Sequence, residues 1–271
     1  MNLQLQPVVR LPRTSVAKGA VAPGERVLPE ETPVALTYNG STHAVMMASP
    51  SDLEDFALGF SLSEGIIAGP GDLISTEIIE HDLGCEIRMW LSDPSGGSYR
   101  TRRRAMAGPV GCGLCGVESL TEALRPAPFI SDTVIMPPGA IATAMSDLSD
   151  AQRLNREARA IHAAALWRPG QGLVAIREDV GRHNALDKLA GTLARNDESC
   201  AGSMVLLTSR VSVEMVQKAA RMGAPIIAAI SAPTALAVRV AEGCGITLVA
   251  VARGESFEVF THAQRIQLLG S

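Results

Sequence analysis

The 271-residue sequence predicts an α/β protein made of two units. Of the residues, 46% are hydrophobic but only 3% are aromatic, so the core is expected to consist of Ala, Val, Leu, Ile and Met. The chain is long for a single compact domain. From about residue 146 onward, strand patterns alternate with helical ones, which is typical of a sheet covered by helices on both faces.

The N-terminal part is predicted to be a smaller α+β domain covering residues 30–140. Residues 1–29 mix Pro, Arg, Gly and polar groups without a period, and they are expected to be loosely ordered. Asn39-Gly40 lies between two short apolar runs and predicts a β-hairpin. The other elements expected here are a helix that begins around 49–54 with Ser or Asp as its cap and ends before Gly65, and strands over 73–80 and 85–91.

Residues 141–271 are predicted to form an α/β cofactor-binding domain with a mixed, mostly parallel sheet. A proline-rich stretch over 126–138 is expected to carry the chain across to this domain. Ligands of such sheets bind at the carboxyl ends of the strands, so the loops that follow the strands are the first candidates for a site. The expected helices cover 146–165, 184–195, 213–222 and 235–242, and the expected strands cover 172–176, 204–208, 225–230 and 247–252.

Charge and hydropathy argue against two classes of partner. The net charge is -4, and the basic residues are scattered except for Arg102, Arg103 and Arg104, so nucleic-acid binding is not expected. No run reaches the roughly 20 apolar residues that a membrane-spanning helix needs. The first residues show no charged region followed by an apolar one, so no secretory signal is predicted. The protein is therefore expected to be cytoplasmic.

Two of the five cysteines stand out from the others. Cys112-Gly-Leu-Cys115 lies in a glycine-rich stretch, residues 107–116, which is expected to be a loop. Four interpretations of this pair are open: a structural zinc site, a thioredoxin-like disulfide, a purely structural pair and a sulfur relay. The remaining cysteines are spaced without pattern and are expected to be buried, unreactive side chains: Cys85, Cys200 and Cys244.

A sulfur relay fits the cysteine loop best. Zinc would need two more ligands at close spacing, but the chain has no second Cys-x-x-Cys and no closely spaced His pair, so no metal site is predicted. A thiolate that transfers sulfur must be exposed and nucleophilic, and glycines beside both cysteines would expose the sulfurs. A helix predicted to begin near Val117, and the arginines at 102–104, could each lower a thiol pKa.

Polar residues follow three of the predicted strands in the second domain. Each group falls where a strand ends and a helix begins, and helix N-termini are ready anion sites. The sequence therefore predicts a polar crevice that holds a nucleotide or a phosphorylated cofactor. Its candidate residues are Asp179, Arg182, His183 and Asn184 after the first strand, Ser209 and Arg210 after the second, and Ser231 and Thr234 after the third.

Together these segments resemble the formate dehydrogenase accessory sulfurtransferase family, FdhD. The resemblance runs from about residue 33 to residue 265, and it implies a homodimer whose C-terminal domain is a three-layer, cytidine deaminase-like fold. The motifs that carry it are, in order, Val45-Met-Met-Ala-Ser-Pro-Ser-Asp-Leu-Glu54, Phe56-Ala-Leu-Gly-Phe60, Ser63-Glu-Gly-Ile-Ile67, Gly111-Cys-Gly-Leu-Cys-Gly116, Glu178-Asp-Val-Gly-Arg-His-Asn-Ala-Leu-Asp-Lys188, Ser209-Arg-Val-Ser-Val-Glu-Met-Val-Gln-Lys218, Ser231-Ala-Pro-Thr234 and Thr261-His262.

The resemblance also implies a reaction and its partners. A cysteine desulfurase would load sulfur onto Cys112, which matches the family's persulfide cysteine, and Cys115 is the second of the pair. The sulfur would pass to the Mo-bis(molybdopterin guanine dinucleotide) cofactor before apo-formate dehydrogenase receives it. GDP-like nucleotides would mimic that cofactor. The family's cofactor-binding stretch falls on Val251, Ala252, Arg253, Gly254, Glu255 and Ser256.

Two other functions are alternatives to sulfur transfer. Zinc deaminases need His-x-Glu and a later Pro-Cys-x-x-Cys, whereas His162 is followed by Ala163 and Ala164 and no such cysteine motif follows it. That activity is excluded. The other alternative is a non-catalytic chaperone that binds the cofactor or the apo-dehydrogenase, with the cysteine pair as a redox or zinc latch. The chain departs from common family patterns at Arg159-Ala-Ile before His162, and at Ala252-Arg-Gly-Glu-Ser.

Overall fold

The computed structural model describes residues 6–93, 95–96 and 127–267. Its first element is an antiparallel hairpin of β1 (Val8–Ala17) and β2 (Ala20–Pro29). The prediction of a loosely ordered segment is therefore wrong for residues 8–29. Most side chains of the hairpin are exposed, and only its base packs against the rest of the protein, through Val8 and Val27. Because this hairpin buries so few side chains, its sequence shows no regular alternation of apolar and polar residues.

A four-stranded sheet and one helix form the rest of the N-terminal unit. The hairpin prediction at Asn39-Gly40 is confirmed, and both residues have the positive φ angles, 48° and 77°, that such a tight turn requires. Asp52 stands at the helix N-cap as expected, although its side chain makes no capping bond. The elements are β3 (Thr32–Tyr38), β4 (Ser41–Ala48), α1 (Leu53–Ser63), β5 (Leu73–His81) and β6 (Gly84–Leu91), with strand order β4-β3-β6-β5.

The C-terminal unit is built on a six-stranded mixed sheet. Its strands are β7 (His162–Arg168), β8 (Gly172–Asp179), β9 (Met204–Leu207), β10 (Ile226–Ala229), β11 (Thr247–Arg253) and β12 (Ser256–Val259), in the order β12-β11-β10-β9-β7-β8. Parallel pairing is limited to β9, β10 and β11, and three of the five strand pairings are antiparallel, so the prediction of a mostly parallel sheet is wrong. The reason is that β7–β8 and β11–β12 are hairpins, whose short turns contain Gly170 and Gly254 with positive φ.

Helices cover both faces of this sheet and give three layers. They are α2 (Pro138–Ala151), α3 (Arg153–Ala158), α4 (Arg182–Arg195), α5 (Val213–Arg221) and α6 (Ala235–Gly243). Successive residues of β7 point to opposite cores: Ala164 and Leu166 pack with α4, α5 and α6, whereas Ala165 and Trp167 pack with α2. The α/β class agrees with the prediction, while the cytidine deaminase-like architecture stays a prediction.

The helix predicted over 146–165 is wrong in its second half. The chain leaves helical structure after Ala158, and His162–Arg168 is strand β7, which lies between β8 and β9. Its five internal residues are all buried, so the strand reads as a continuous apolar run without period-two alternation. Three of them are alanines, whose high helix propensity favours the wrong assignment.

The two units meet through a close crossing of α1 and α4. A Cβ atom placed on Gly59 would lie 1.7 Å from the carbonyl oxygen of Asp187, and one placed on Gly191 would lie 1.9 Å from that of Asp55. No side chain fits at either position, so the two helix backbones are in direct contact there.

The three unpatterned cysteines are free and buried, as predicted: Cys85, Cys200 and Cys244. Burial raises the pKa of the Cys200 thiol to about 12. A thiol that does not ionise at neutral pH is a poor nucleophile, so this residue is a core side chain.

Candidate functional site

Four loops converge at one edge of the six-stranded sheet. Strands β8, β9, β10 and β11 end at this edge, and β7 begins there because it runs antiparallel to its neighbours. Backbone bonds join the loops: the Thr234 N–H donates to the Val211 carbonyl at 3.0 Å, and the Val251 N–H donates to the Ser231 carbonyl at 3.4 Å. The predicted convergence of polar strand ends is thus present, and this strand-end edge is the candidate site.

Side chains connect the first of these loops to the second. The Nε2 atom of His183 lies 3.1 Å from Glu214 Oε2 and 3.5 Å from Ser212 Oγ. The Ser212 hydroxyl donates to the same Glu214 oxygen at 3.1 Å. His183 is therefore held in place by the first turn of α5, with its side chain still 30% exposed.

Two histidines and an arginine lie close together at this edge. Burial and the nearby Arg182 guanidinium lower the pKa values of both His162 and His183. Both imidazoles are accordingly neutral at pH 7, because their ordinary pKa of 6.5 is already below that pH. The Nε atom of Arg182 is buried and has no hydrogen-bond partner among the described residues. A cation with an unused donor at this position favours an anionic ligand.

His162 was not among the predicted site residues. It reaches the edge because it is the first residue of β7, directly opposite Asp179 in the antiparallel pairing with β8. Because a helix is predicted over this segment, the sequence does not predict the position of His162 at the end of a strand. A strand assignment would have revealed it.

Asp179 and Asn184 point into the protein. Both Asp179 and Lys188 are fully buried, and the Lys188 ammonium lies 2.6 Å from the Asp179 carboxylate. The Asn184 amide donates to the Met47 carbonyl at 2.8 Å and to Asp179 at 3.1 Å. Neither side chain has a free face toward a ligand, so their role in cofactor binding, predicted from the sequence, has no geometric support.

The next two loops place helix N-termini at the edge. Thr234 caps α6 by accepting a hydrogen bond from the Ala237 N–H at 3.2 Å. Ser209 is buried and donates to the Arg210 carbonyl at 3.0 Å, whereas the Arg210 side chain is exposed, and Ser231 is half-buried. Helices α4, α5 and α6 all begin here, so their positive ends add to the charge of Arg182.

The β11–β12 turn supplies the fourth loop, the stretch implied by the family resemblance. Val251 has φ of 53°, a left-handed conformation that is rare for a β-branched residue, and the strand register shifts between Ala250 and Arg253. Ala252 is buried, while Arg253, Gly254, Glu255 and Ser256 are exposed. A strained bulge of this kind is often found beside functional sites.

The predicted catalytic residues, Cys112 and Cys115, lie outside the described residues, as do the neighbouring arginines at 102–104. Within residues 6–93, 95–96 and 127–267, no group of three or more His, Cys, Asp or Glu side chains could hold a metal ion. In the same part of the chain, no helix is both long and apolar enough to cross a membrane.

Comparisons with known proteins decide the family. Residues 29–267 match the model of the FdhD/NarQ family. The chain belongs to the FdhD/NarQ family. It is 55% identical over 260 residues to the sulfur carrier protein FdhD of Agrobacterium fabrum, a match that covers 96% of each chain. It is 49% identical over 251 residues to the FdhD of Bordetella petrii, covering 92% of this chain and 90% of that protein.

A solved structure has the same fold as this FdhD/NarQ family member. It is the crystal structure of a protein described as a formate dehydrogenase accessory protein, from Desulfotalea psychrophila. The TM-score is 0.76 at 28% sequence identity, and the match covers 96% of this chain and 100% of the other. The family resemblance inferred from the motifs is thereby confirmed.

Proposed function

We propose that this protein is a sulfur carrier that serves the maturation of formate dehydrogenase. Its FdhD/NarQ membership and the names of its relatives support the general role. The observation that carries the proposal is the strand-end edge, where three helix N-termini and Arg182 meet. Such an edge suits a phosphate-bearing acceptor.

The carrier step takes place at the cysteine pair. The Cys112 thiolate attacks the outer sulfur of a persulfide on a cysteine desulfurase, which forms the Cys112 persulfide and releases the donor's cysteine as a thiolate. Cys115 assists this step as the second thiol of the pair. The exposed, glycine-flanked position expected from the sequence supports this assignment.

The acceptor we propose is the Mo-bis(molybdopterin guanine dinucleotide) cofactor, bound as a substrate before apo-formate dehydrogenase receives it. Arginines on three different loops of the edge, Arg182, Arg210 and Arg253, are available for its phosphates. The strained turn at Val251 brings backbone groups to the same edge. The protein would act as a cytoplasmic homodimer, as in the family resemblance.

Sulfur loading tests the carrier role directly. After incubation with a cysteine desulfurase and cysteine, the wild-type protein is expected to gain the mass of one sulfur atom or more. Cys112→Ala is expected to lose this loading, because the attacking thiolate is gone. Intact-mass spectrometry measures both, and Cys200→Ala is the matched control, since Cys200 is buried and not ionised. Undiminished loading of Cys112→Ala would contradict the proposal.

Metal analysis of the purified protein tests the alternative in which the cysteine pair is a zinc latch. Stoichiometric zinc that is lost on mutating Cys112 and Cys115 would favour the latch interpretation.

Nucleotide binding tests the acceptor. GDP is expected to bind more tightly than ADP, because the proposed cofactor carries guanine and a pyrophosphate. Arg182→Met is expected to weaken GDP binding by about tenfold, the usual loss for one charged hydrogen bond of about 1.5 kcal/mol. Calorimetry measures all three affinities. Equal affinities for GDP and ADP would argue against the guanine dinucleotide.

A further inference from the structure

A buried set of polar side chains ties the strand-end edge to the N-terminal unit. We call Ser49, Asp179, Asn184 and Lys188 the clamp. All four are at least 97% buried. Ser49 directly follows β4 and precedes α1, Asp179 is the last residue of β8, and the other two lie in α4. The clamp therefore joins residues of two units that are about 130 positions apart in sequence.

Several contacts of the clamp converge on one short turn, residues 179–181. The Asp179 carboxylate accepts hydrogen bonds from the Ser49 N–H at 3.0 Å and from the Gly181 N–H at 2.7 Å, in addition to its ion pair with Lys188. The Val180 N–H donates to the Ser49 hydroxyl at 3.1 Å. The backbone N–H groups of residues 180 and 181 are thus both fixed, one by each unit.

The opposite ends of the clamp are anchored in the N-terminal unit. The Lys188 ammonium donates to the Ser49 carbonyl at 2.9 Å, and the Asn184 amide donates to the Met47 carbonyl at 2.8 Å. Ser49 alone supplies its N–H, its hydroxyl and its carbonyl to the other unit. Three hydrogen bonds from one residue across an interface fix the positions of their partners, here Asp179, Val180 and Lys188.

The turn that the clamp holds leads directly into the charged part of the candidate site. Arg182 and His183 are the first residues of α4, immediately after Val180 and Gly181. Their side chains can face a ligand only if this turn keeps its conformation. We infer that Ser49 and its clamp partners are positioning residues, through which the N-terminal unit sets the placement of Arg182 and His183 and thereby the affinity of the strand-end edge for a nucleotide.

This inference rests on the proposed function, because it takes the strand-end edge to be the nucleotide site. It goes further by assigning a role in that site to a residue of the other unit, which cannot touch the ligand itself. It also predicts that the N-terminal unit and the site are coupled. By linkage, whatever distorts the β4–α1 turn changes nucleotide affinity, and nucleotide binding stabilises that turn.

A second buried network supplies a matched control. The Ser63 hydroxyl donates to Asp187 Oδ1 at 2.6 Å, and the Lys218 ammonium donates to both Ser63 and Asp187 at 2.8 Å. This network also crosses between the units, and Ser63 is 97% buried. Among the described residues, none of its hydrogen bonds reaches the turn at 179–181. Its loss should therefore destabilise the protein without moving Arg182.

The test compares Ser49→Ala with Ser63→Ala. Both variants remove one buried hydroxyl from the interface, and both are expected to lower the melting temperature by a similar few degrees. Ser49→Ala is expected to weaken GDP binding by about fivefold or more, whereas Ser63→Ala stays within about twofold of the wild type. Calorimetry gives the affinities. Histidine-ring NMR, with His183→Gln for assignment, gives a second readout: the His183 signal is expected to shift more in Ser49→Ala than in Ser63→Ala, because Ser63→Ala keeps the Asp187 and Lys218 charges that act on His183.

Asn184→Ala tests the clamp from its other side and keeps Ser49 intact. Because Asn184 is 97% buried and bonds to Met47, it is expected to weaken GDP binding without being a ligand contact. Wild-type GDP binding together with unchanged affinity in Ser49→Ala and Asn184→Ala would overturn this inference and leave the proposed function standing. A wild type that binds no GDP would overturn the proposed acceptor site, and this inference with it.

Discussion

Gly191→Ala is expected to lower the free energy of unfolding by about 3 kcal/mol, the upper part of the usual range for overpacking a buried site. The added methyl group would lie 1.9 Å from the carbonyl oxygen of Asp55, an atom of the α1 backbone that no rotamer change can move away. The helices must separate instead, and α1 is the element that joins the two units. Urea unfolding followed by circular dichroism measures the change.

The expected loss of stability is opposite to the gain that helix propensity alone would predict for Gly191→Ala. The result therefore distinguishes crowding from propensity. Alanine is favoured over glycine by about 1 kcal/mol in a helix interior, so an uncrowded site would gain stability. Gly139 in the first turn of α2 is such a site, since a Cβ there would meet nothing within 4 Å. Gly139→Ala is therefore expected to be neutral or stabilising. If Gly191→Ala were also stabilising, the close crossing of α1 and α4 would be wrong.

Lys188→Met is expected to cost about 3–5 kcal/mol, the range for removing one partner of a buried ion pair. The substitution leaves the fully buried carboxylate of Asp179 without its cation, and it leaves the Ser49 carbonyl without a donor. Methionine has nearly the length of lysine, so packing loss contributes little. Denaturant midpoints at constant slope measure the loss.

Arg10→Met is the control for Lys188→Met. Arg10 pairs with Glu25 at 3.9 Å on the N-terminal hairpin, and both side chains are more than 60% exposed. Exposed pairs contribute little, so this variant is expected to stay within about 0.5 kcal/mol of the wild type. A loss below about 1 kcal/mol for Lys188→Met would show that the ion pair is not buried as the structure places it.

Local signals predicted the regular part of the fold. The hairpin at Asn39-Gly40 follows from the two residues alone, because few pairs adopt positive φ so readily. The succession from β9 to β11 follows from short apolar runs separated by amphipathic helices, and each was predicted within one or two residues of its bounds. These elements depend little on distant parts of the chain.

The elements that were predicted wrongly depend, by contrast, on pairing with other parts of the chain. Strand β7 is a strand only because β8 and β9 pair with it on both sides, and its alanines by themselves favour a helix. The N-terminal hairpin buries few side chains, so no hydrophobic pattern marks it. The strand structure of this hairpin and of β7 follows from pairing with other strands. A window of about ten residues does not include those partner strands.

The sequence predicts that the polar strand ends meet, but it does not predict how their side chains point. Polar residues after three strands indicate loops at one edge of the sheet, because strand ends meet wherever strands run side by side. Side-chain direction was not predictable: Asp179 turns inward because Ser49 and Lys188 receive it there. His162 joins the edge because β7 forms an antiparallel hairpin with β8, and its position there is visible only once the segment is assigned as a strand.

The contact of glycine against backbone between α1 and α4 also has a consequence for synthesis. Helix α1 leaves the ribosome long before α4, and the two are separated by some 120 residues of chain that must be made first. Until α4 has been made, the surface of α1 around Gly59 has no partner. A contact between residues so far apart in sequence also forms slowly. The surface of α1 at Gly59 therefore stays uncovered until nearly three-quarters of the protein has been made, which couples the folding of the two units during synthesis.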